Sequence, residues 1–321
     1  MIAGALVLIS ASGAMAYFGY RNSLDENIER IEDPFVEIDP STRPSVASAA
    51  GTAAPVNVLV LGSDSRISAG DPTAWEAGAQ RTDAIMLVHL SADRQSAAAI
   101  SIPRDSWVPI PGYGEAKVNA AFSYGGPPLM IETVEDLTGV RIDHFAVTDF
   151  ESFTTLTDSL DGVEITVPDG DGGMVRQAMT GEEALTFTRE RYALANGDFG
   201  RVQRQQAWMR AIATKVRDDR GDLLKMSRFI DAVTSSVAVD ESLTMDAMQE
   251  LLISARQIST DDITFMTAPY AGTGRSADGQ SIVLLDRATF DPLMQAVAKD
   301  EVSDFLAANP DAMDVLPAVV Q

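Results

Sequence analysis

The stretch VNVLVLG at residues 56–62 is a near-continuous apolar run closed by glycine. A run of that kind, bounded by a turn residue, reads as a strand buried on both faces. Working outward from it, similar runs predict strands at 84–90, 97–102, 145–148, 163–167, 263–267 and 281–285. Between them, apolar residues recur at helical spacing over 128–137, 150–160, 181–187, 199–216, 223–237, 245–258 and 287–298. Strands alternating with helices predict an α/β fold, with a sheet sandwiched between helical layers. The chain has 321 residues, 45% hydrophobic and 22% charged. That is the balance of a globular protein, and it is long enough to bury a substantial core.

Upstream of the first strand the composition changes twice. Residues 2–20 carry no charge, and at about 1.5 Å per helical residue they reach roughly one bilayer core. Residues 1–21 therefore read as a transmembrane anchor, with a cleaved signal ending near Ala14-Met15-Ala16 as the alternative. Either reading places the rest of the chain outside the cytoplasm, the anchor making it a single-pass protein of the cell membrane. Residues 22–55 hold seven acids, two arginines and the run PSTRPSVASAAGTAAP, and read as a solvated extracytoplasmic linker with room for a short helix around Leu24–Ile31. Residues 56–300 are the expected folded domain. The acidic segment 301–321 reads as a tail that frays after a helix.

Composition excludes several chemistries. There are no cysteines, so disulfides, thiolate metal sites and cysteine nucleophiles are out. Two histidines, His89 and His144, cannot supply a three-histidine zinc site, and both read as structural. No Gly-Lys dipeptide is present for a P-loop, and no GxGxxG or HExxH occurs. The net charge of −23 has the wrong sign for a nucleic-acid binder. Within that acidic chain, residues 181–217 carry seven basic and four acidic side chains, a local reversal that suits an anionic ligand or, equally, a solvated helix face.

The polar residues that stand out are aspartates and arginines at strand ends. LVLGSDSR puts Asp64 and Arg66 just past the first strand, and QRTDAIMLVHL puts Arg81 and Asp83 just before the second. Antiparallel pairing of these strands would bring Asp64 beside Asp83. Two bare carboxylates repel unless a hard cation such as Mg²⁺ lies between them. The spacing is equally compatible with each capping a turn or pairing with its neighbouring arginine. ISIPRDSWV places Arg104 after another strand, with Asp105 next to it. In FTRERY, Arg189 and Arg191 point the same way only if the segment is extended. In GDFGRVQRQQ, Arg201 and Gln205 share one face near a helix N-terminus, where backbone N–H groups favour an anion.

Taken in order, GSDSR, RTDAIMLVHL, AISIPRDSWV, KVNAAFSYGGP, HFAVTDFESFTTLTDSLDGVEITVP, LTGEEALTFTRERY and GDFGRVQRQQ resemble the LytR-CpsA-Psr family of cell-envelope glycopolymer transferases. The resemblance covers about residues 56–217 and continues more weakly towards 300. It implies a central mixed sheet flanked by helices behind one transmembrane anchor. It also implies transfer of a glycan phosphate from a polyprenyl-pyrophosphate carrier to a peptidoglycan hydroxyl, with Mg²⁺ (or Mn²⁺) as cofactor. By position, Asp64 and Asp83 match the magnesium-site aspartates and are the candidates for a catalytic base. Arg81, Arg104, Arg189, Arg191, Arg201 and Gln205 match the pyrophosphate-binding set, with Arg104 and Arg189 also expected to be catalytic. Lys117 and Asn119 lie in a family motif and take a supporting role. The spacing between Asp64 and Asp83 is stretched by an insertion containing Trp75. Alternative outcomes are transfer to a surface glycoprotein, hydrolysis of the polyprenyl pyrophosphate, or a non-catalytic envelope-binding or regulatory module.

Overall fold

The computed structural model describes residues 23–46, 53–63, 82–169, 171, 173–190, 197–310 and 313–320, with the side chains of 150 and 151 left out. The apolar run at 2–20 lies outside the described residues. Among the described residues, no helix is long and apolar enough to cross a membrane.

Fourteen strands are described in chain order: β1 (Glu29–Ile31), β2 (Val56–Ser63), β3 (Thr82–Leu90), β4 (Ala97–Ser101), β5 (Trp107–Ile110), β6 (Gly114–Lys117), β7 (His144–Asp149), β8 (Val163–Pro168), β9 (Met174–Met179), β10 (Val237–Asp240), β11 (Ile263–Thr267), β12 (Tyr270–Arg275), β13 (Ser281–Leu285) and β14 (Asp314–Val315). The longer helices are α1 (Val118–Thr138), α2 (Phe150–Ser159), α3 (Gly181–Arg189), α4 (Asp198–Asp219), α5 (Leu223–Ser236), α6 (Met245–Ser254), α7 (Arg287–Ala298) and α8 (Val302–Ala308). The central sheet has the order β1-β10-β7-β2-β3-β4-β11-β14. It is mixed: β2 runs parallel to β7, and β4 parallel to β11, while β3 is antiparallel to both its neighbours.

Side-chain alternation divides the core between the two faces of the sheet. Leu59, Leu61, Ile85, Leu87, Ile100 and Phe145 point to one face, where α1 and α7 cover them. Met86, Ala99 and Phe265 point to the other, beneath Phe153 of α2 and Trp208 of α4, whose rings stack at 3.9 Å. The expected sandwich is therefore observed. Two predicted strands lie outside the central sheet: β8 pairs with β9, and β13 with β12, each forming a hairpin.

Both flanking segments depart from expectation. Residues 23–46, read as linker, are built into the domain. β1 pairs in parallel with β10, and Ile31 and Ile38 join the core. Arg43 binds Glu135 at 2.7 Å and the Ile142 carbonyl at 2.6 Å. The composition of this stretch is polar, but Leu24, Ile28, Ile31 and Ile38 are all buried. The 301–321 tail does not simply fray either. It forms α8 and then β14, which caps the β11 edge, and Leu316 and Val320 are buried against the α4 face. An unpaired sheet edge is costly to leave open, which gives this short acidic segment a partner.

Candidate active site

The carboxyl ends of β2, β7, β4 and β11 and the start of β3 share one rim of the sheet, as the pairings Ser63↔Thr82, Ser63↔Asp149 and Ser101↔Thr267 show. In open α/β sheets such a rim is where ligands bind. Asp83 is the second residue of β3. Arg104 follows β4: the Ile102 N–H still donates to the Ile85 carbonyl at 2.8 Å, and Pro103, lacking an N–H, ends the ladder. The turn beyond is held on two sides. Asn119 N–H donates to the Arg104 carbonyl at 3.2 Å, and Val283 N–H to the Asp105 carbonyl at 2.8 Å.

Helix α4 delivers the third component. Gly197 precedes it at φ 53°, in the left-handed region that favours glycine. Asp198 in the first turn agrees with the helix dipole, whereas Arg201 opposes it. Carboxylates hold Arg201 there. Its Nη2 lies 3.0 Å from Asp198 Oδ1 and donates to Asp198 Oδ2 at 3.2 Å, and its Nη1 lies 3.6 Å from Asp83 Oδ1. Arg104 bridges the same two acids, donating from Nη1 to Asp83 Oδ1 and reaching Asp198 Oδ1 at 3.5 Å. Asp105 adds a lateral pair with Lys117 at 2.8 Å. Arg201 is 6% exposed, and its Nε has no hydrogen-bond partner among the described residues; the same holds for the buried hydroxyls of Thr82 and Ser106. Buried unsatisfied donors at a sheet rim mark places where a ligand or solvent completes the bonding.

The sequence-predicted residues are thus distributed unevenly. Asp83, Arg104 and Arg201 meet, and Gln205 is buried one turn along α4 from Arg201. Arg189 is exposed on the last turn of α3. It is the last residue of that helix, and Glu190 after it is extended at φ −62° and ψ 131°. The C-terminal end of α3 is tied to α4 by Arg204, which donates to the Phe187 carbonyl at 3.1 Å and lies over its ring. Asp64, Arg81 and Arg191, like Trp75, lie outside the described residues. Asp198 was missed; its signal was the Gly-Asp just ahead of the α4 pattern. Gln206 was also missed: fully buried, it donates to Ser101 Oγ and the Met266 carbonyl, both at 2.9 Å, and docks α4 on the sheet rim. Both histidines are structural. His89 bridges Asn57 and Asp300, and His144 binds Asp240.

Fold and cluster define a class: an α/β sandwich carrying an arginine–aspartate site at the carboxyl rim of a mixed sheet. The LytR_cpsA_psr family profile matches residues 23–299, and the chain belongs to that family. It is 30% identical over 278 residues to the cell wall biosynthesis protein LcpA of Corynebacterium glutamicum, a match covering 72% of this chain and 53% of that protein. With the probable cell wall biosynthesis protein LcpB of the same organism it shares 34% identity over 248 residues, covering 73% and 56%. The chain thus spans about half the length of these two relatives. It is also 30% identical over 259 residues to the polyisoprenyl-teichoic acid–peptidoglycan teichoic acid transferase TagU of Halalkalibacterium halodurans, covering 77% and 82%. Among solved structures, Bacillus subtilis TagV superposes with a TM-score of 0.62 at 21% identity, covering 77% of this chain and 97% of that one. TagT bound to LI-WTA superposes at 0.60 with 24% identity, covering 82% and 93%. These two likenesses establish the common fold.

Proposed function

We propose that the chain is a transferase of cell-envelope assembly, which moves a glycopolymer phosphate from a polyprenyl-pyrophosphate carrier to a peptidoglycan hydroxyl. The observation that supports this reading most directly is Arg104 and Arg201 converging on Asp83 and Asp198 at the rim. The names borne by TagU and the two corynebacterial relatives point the same way.

Two guanidinium groups, already fixed by carboxylates, lose little entropy when they grip an anion, and their planar forks match phosphate oxygens. Charge grows on the leaving phosphate as the P–O bond breaks, and preplaced donors stabilise it with little reorganisation. The Arg201 Nε is a donor with capacity to spare for that charge. Loss of a proton from the acceptor hydroxyl needs a nearby base, a role this reading gives to Asp83.

Asp83 offers hard oxygen donors of the kind Mg²⁺ takes, with substrate phosphates and water completing the shell. Asp83, which with Asp64 matches the magnesium-site aspartates of the resemblance, would share the ion with the diphosphate. Bound there, it would neutralise phosphate charge. The described cluster balances Arg104, Arg201 and Lys117 against Asp83, Asp105 and Asp198, so a diphosphate arriving with a divalent cation adds no net charge to it. The apolar run at 2–20 would tether the domain beside its lipid-linked donor, outside the cytoplasm.

The test is transfer of labelled glycan phosphate from a polyprenyl-pyrophosphate donor to purified peptidoglycan. Arg104→Ala should slow it by about 10²–10³, the cost of losing one charge-stabilising donor. A folded variant transferring at near the native rate would reject the assignment, and release of free glycan phosphate in equal amount without peptidoglycan would indicate a hydrolase.

A further inference from the structure

Beside the arginine cluster, the β5–β6 hairpin has two unlike faces. Val108 and Ile110 point inward and are buried in the core. The outward face carries Trp107 and Pro109, paired across the ladder with Lys117 and Glu115. At the tip, the ring of Tyr113 stacks on that of Tyr124 from α1, with centroids 4.8 Å apart and planes 21° from parallel. Both tyrosines stay open to solvent, at 56% and 41% exposure. The strip begins at the site itself, because Lys117 binds Asp105 at 2.8 Å and Asp105 lies 3.8 Å from Arg104 Nε.

Exposed rings ordinarily tuck into the core or an interface, since leaving them in water forfeits the gain of burial. Here the backbone holds them outward. Tyr124 precedes a break in α1, where Gly126 adopts φ 65° and two prolines follow. Only glycine takes that conformation cheaply, and Tyr124, two residues before it, meets Tyr113 at the hairpin tip.

The chemistry of the strip selects its occupant. It has flat rings and a proline but no Leu, Ile, Val or Met on its outward face. It is flanked by one carboxylate and one ammonium, and Trp107 Nε1 donates to Glu115 Oε2 at 3.3 Å. Lipid or a hydrophobic protein groove would call for aliphatic side chains, such as the exposed Leu223 and Leu224 on α5. A pyranose presents an apolar C–H face that suits the electron-rich face of an aromatic ring, and hydroxyls that suit Glu115 and Lys117. We propose that the outward face of the β5–β6 hairpin, with Trp107, Pro109 and the Tyr113–Tyr124 stack, binds the carbohydrate chain of the acceptor and leads its hydroxyl towards Arg104. The acceptor role rests on the transfer reading; the binding of a neutral glycan does not.

A β-1,4-linked N-acetylglucosamine hexasaccharide serves as the probe, titrated into the full chain by calorimetry. Trp107→Ala and Tyr113→Ala should each weaken binding by roughly three- to tenfold. In the transfer assay the same variants should raise KM for peptidoglycan by a similar factor, with kcat and donor KM unchanged. Tyr113 is exposed, so its variant keeps the test valid if Trp107→Ala unfolds. Absence of hexasaccharide binding by the native chain, or equal binding by native chain and Tyr113→Ala, overturns the proposal. If binding depends on the strip while the native chain transfers nothing, the transfer reading fails and the glycan site stands.

Discussion

Arg201 offers the sharpest test of the rim cluster, through Arg201→Met, which keeps an unbranched apolar stem and removes the charged guanidinium. In the native chain this guanidinium donates to Asp198 at 3.2 Å and to the Asp83 carbonyl at 3.4 Å. Hydrogen bonds to charged groups contribute about 1.5–3 kcal/mol and neutral ones about 1, so the two together amount to roughly 2.5–4 kcal/mol. Arg104 reaches both carboxylates as well, which moderates the loss. The variant should therefore fold, within a typical stability of about 5–15 kcal/mol. Transfer is affected differently, because nothing substitutes for a donor aimed at developing charge, and kcat should drop by about 10²–10³. The assay pairs urea unfolding with transfer kinetics. A second arm uses Asp198→Asn: with the partner acid neutralised, Arg201→Met should cost less stability, with a coupling of about 0.5–3 kcal/mol. A folded Arg201→Met chain transferring within threefold of native, or a coupling near zero, would refute the reasoning.

Three further expectations concern the fold. Arg43→Ala leaves Glu135, 2% exposed, without its guanidinium partner, and should lower unfolding stability by about 3–5 kcal/mol in urea titration. Ending the chain at Asp300 removes Leu316 and Val320 from the core and strips β14 from the edge; at about 1.5–3 kcal/mol per buried side chain as an upper figure, thermal scans should show a marked fall in Tm and gel filtration should show self-association. Burial holds the His89 imidazole below its ordinary 6.5, against the pull of Asp300. The unfolded chain therefore takes up that proton first, so His89's contribution to stability is complete above 6.5 and declines as pH falls through that value. Tm measured from about pH 7.5 down to about pH 5.5 should decline less steeply in His89→Gln than in the native chain.

What could be read from the linear chain was local. A strand buried on both faces needs only its own apolar residues to declare itself, so VNVLVLG, the neighbouring runs and the 287–298 helical pattern marked their elements closely. The first ten residues of α1 escaped notice because Gly125, Gly126 and Pro127 interrupt the period. Polar composition also misled at both flanks, since burial is decided by a few well-placed apolar side chains: Ile31 and Ile38 on one side, Leu316 and Val320 on the other. The motifs singled out Asp83, Arg104 and Arg201, but separation in sequence carries no information on distance.

Only the tertiary structure decided that these three meet Asp198. Asp83 and Arg104 come together through the antiparallel β3–β4 register, and Arg201 and Asp198 arrive because Gly197 starts α4 at that rim and Gln206 docks it there. The same holds for the Trp107–Tyr113–Tyr124 strip, assembled from a hairpin and a helix break. Periodicity is set by each residue's near neighbours along the chain, and so is written in the sequence. Juxtaposition is set by register and packing between segments far apart, which appear only once the sheet has closed over its core.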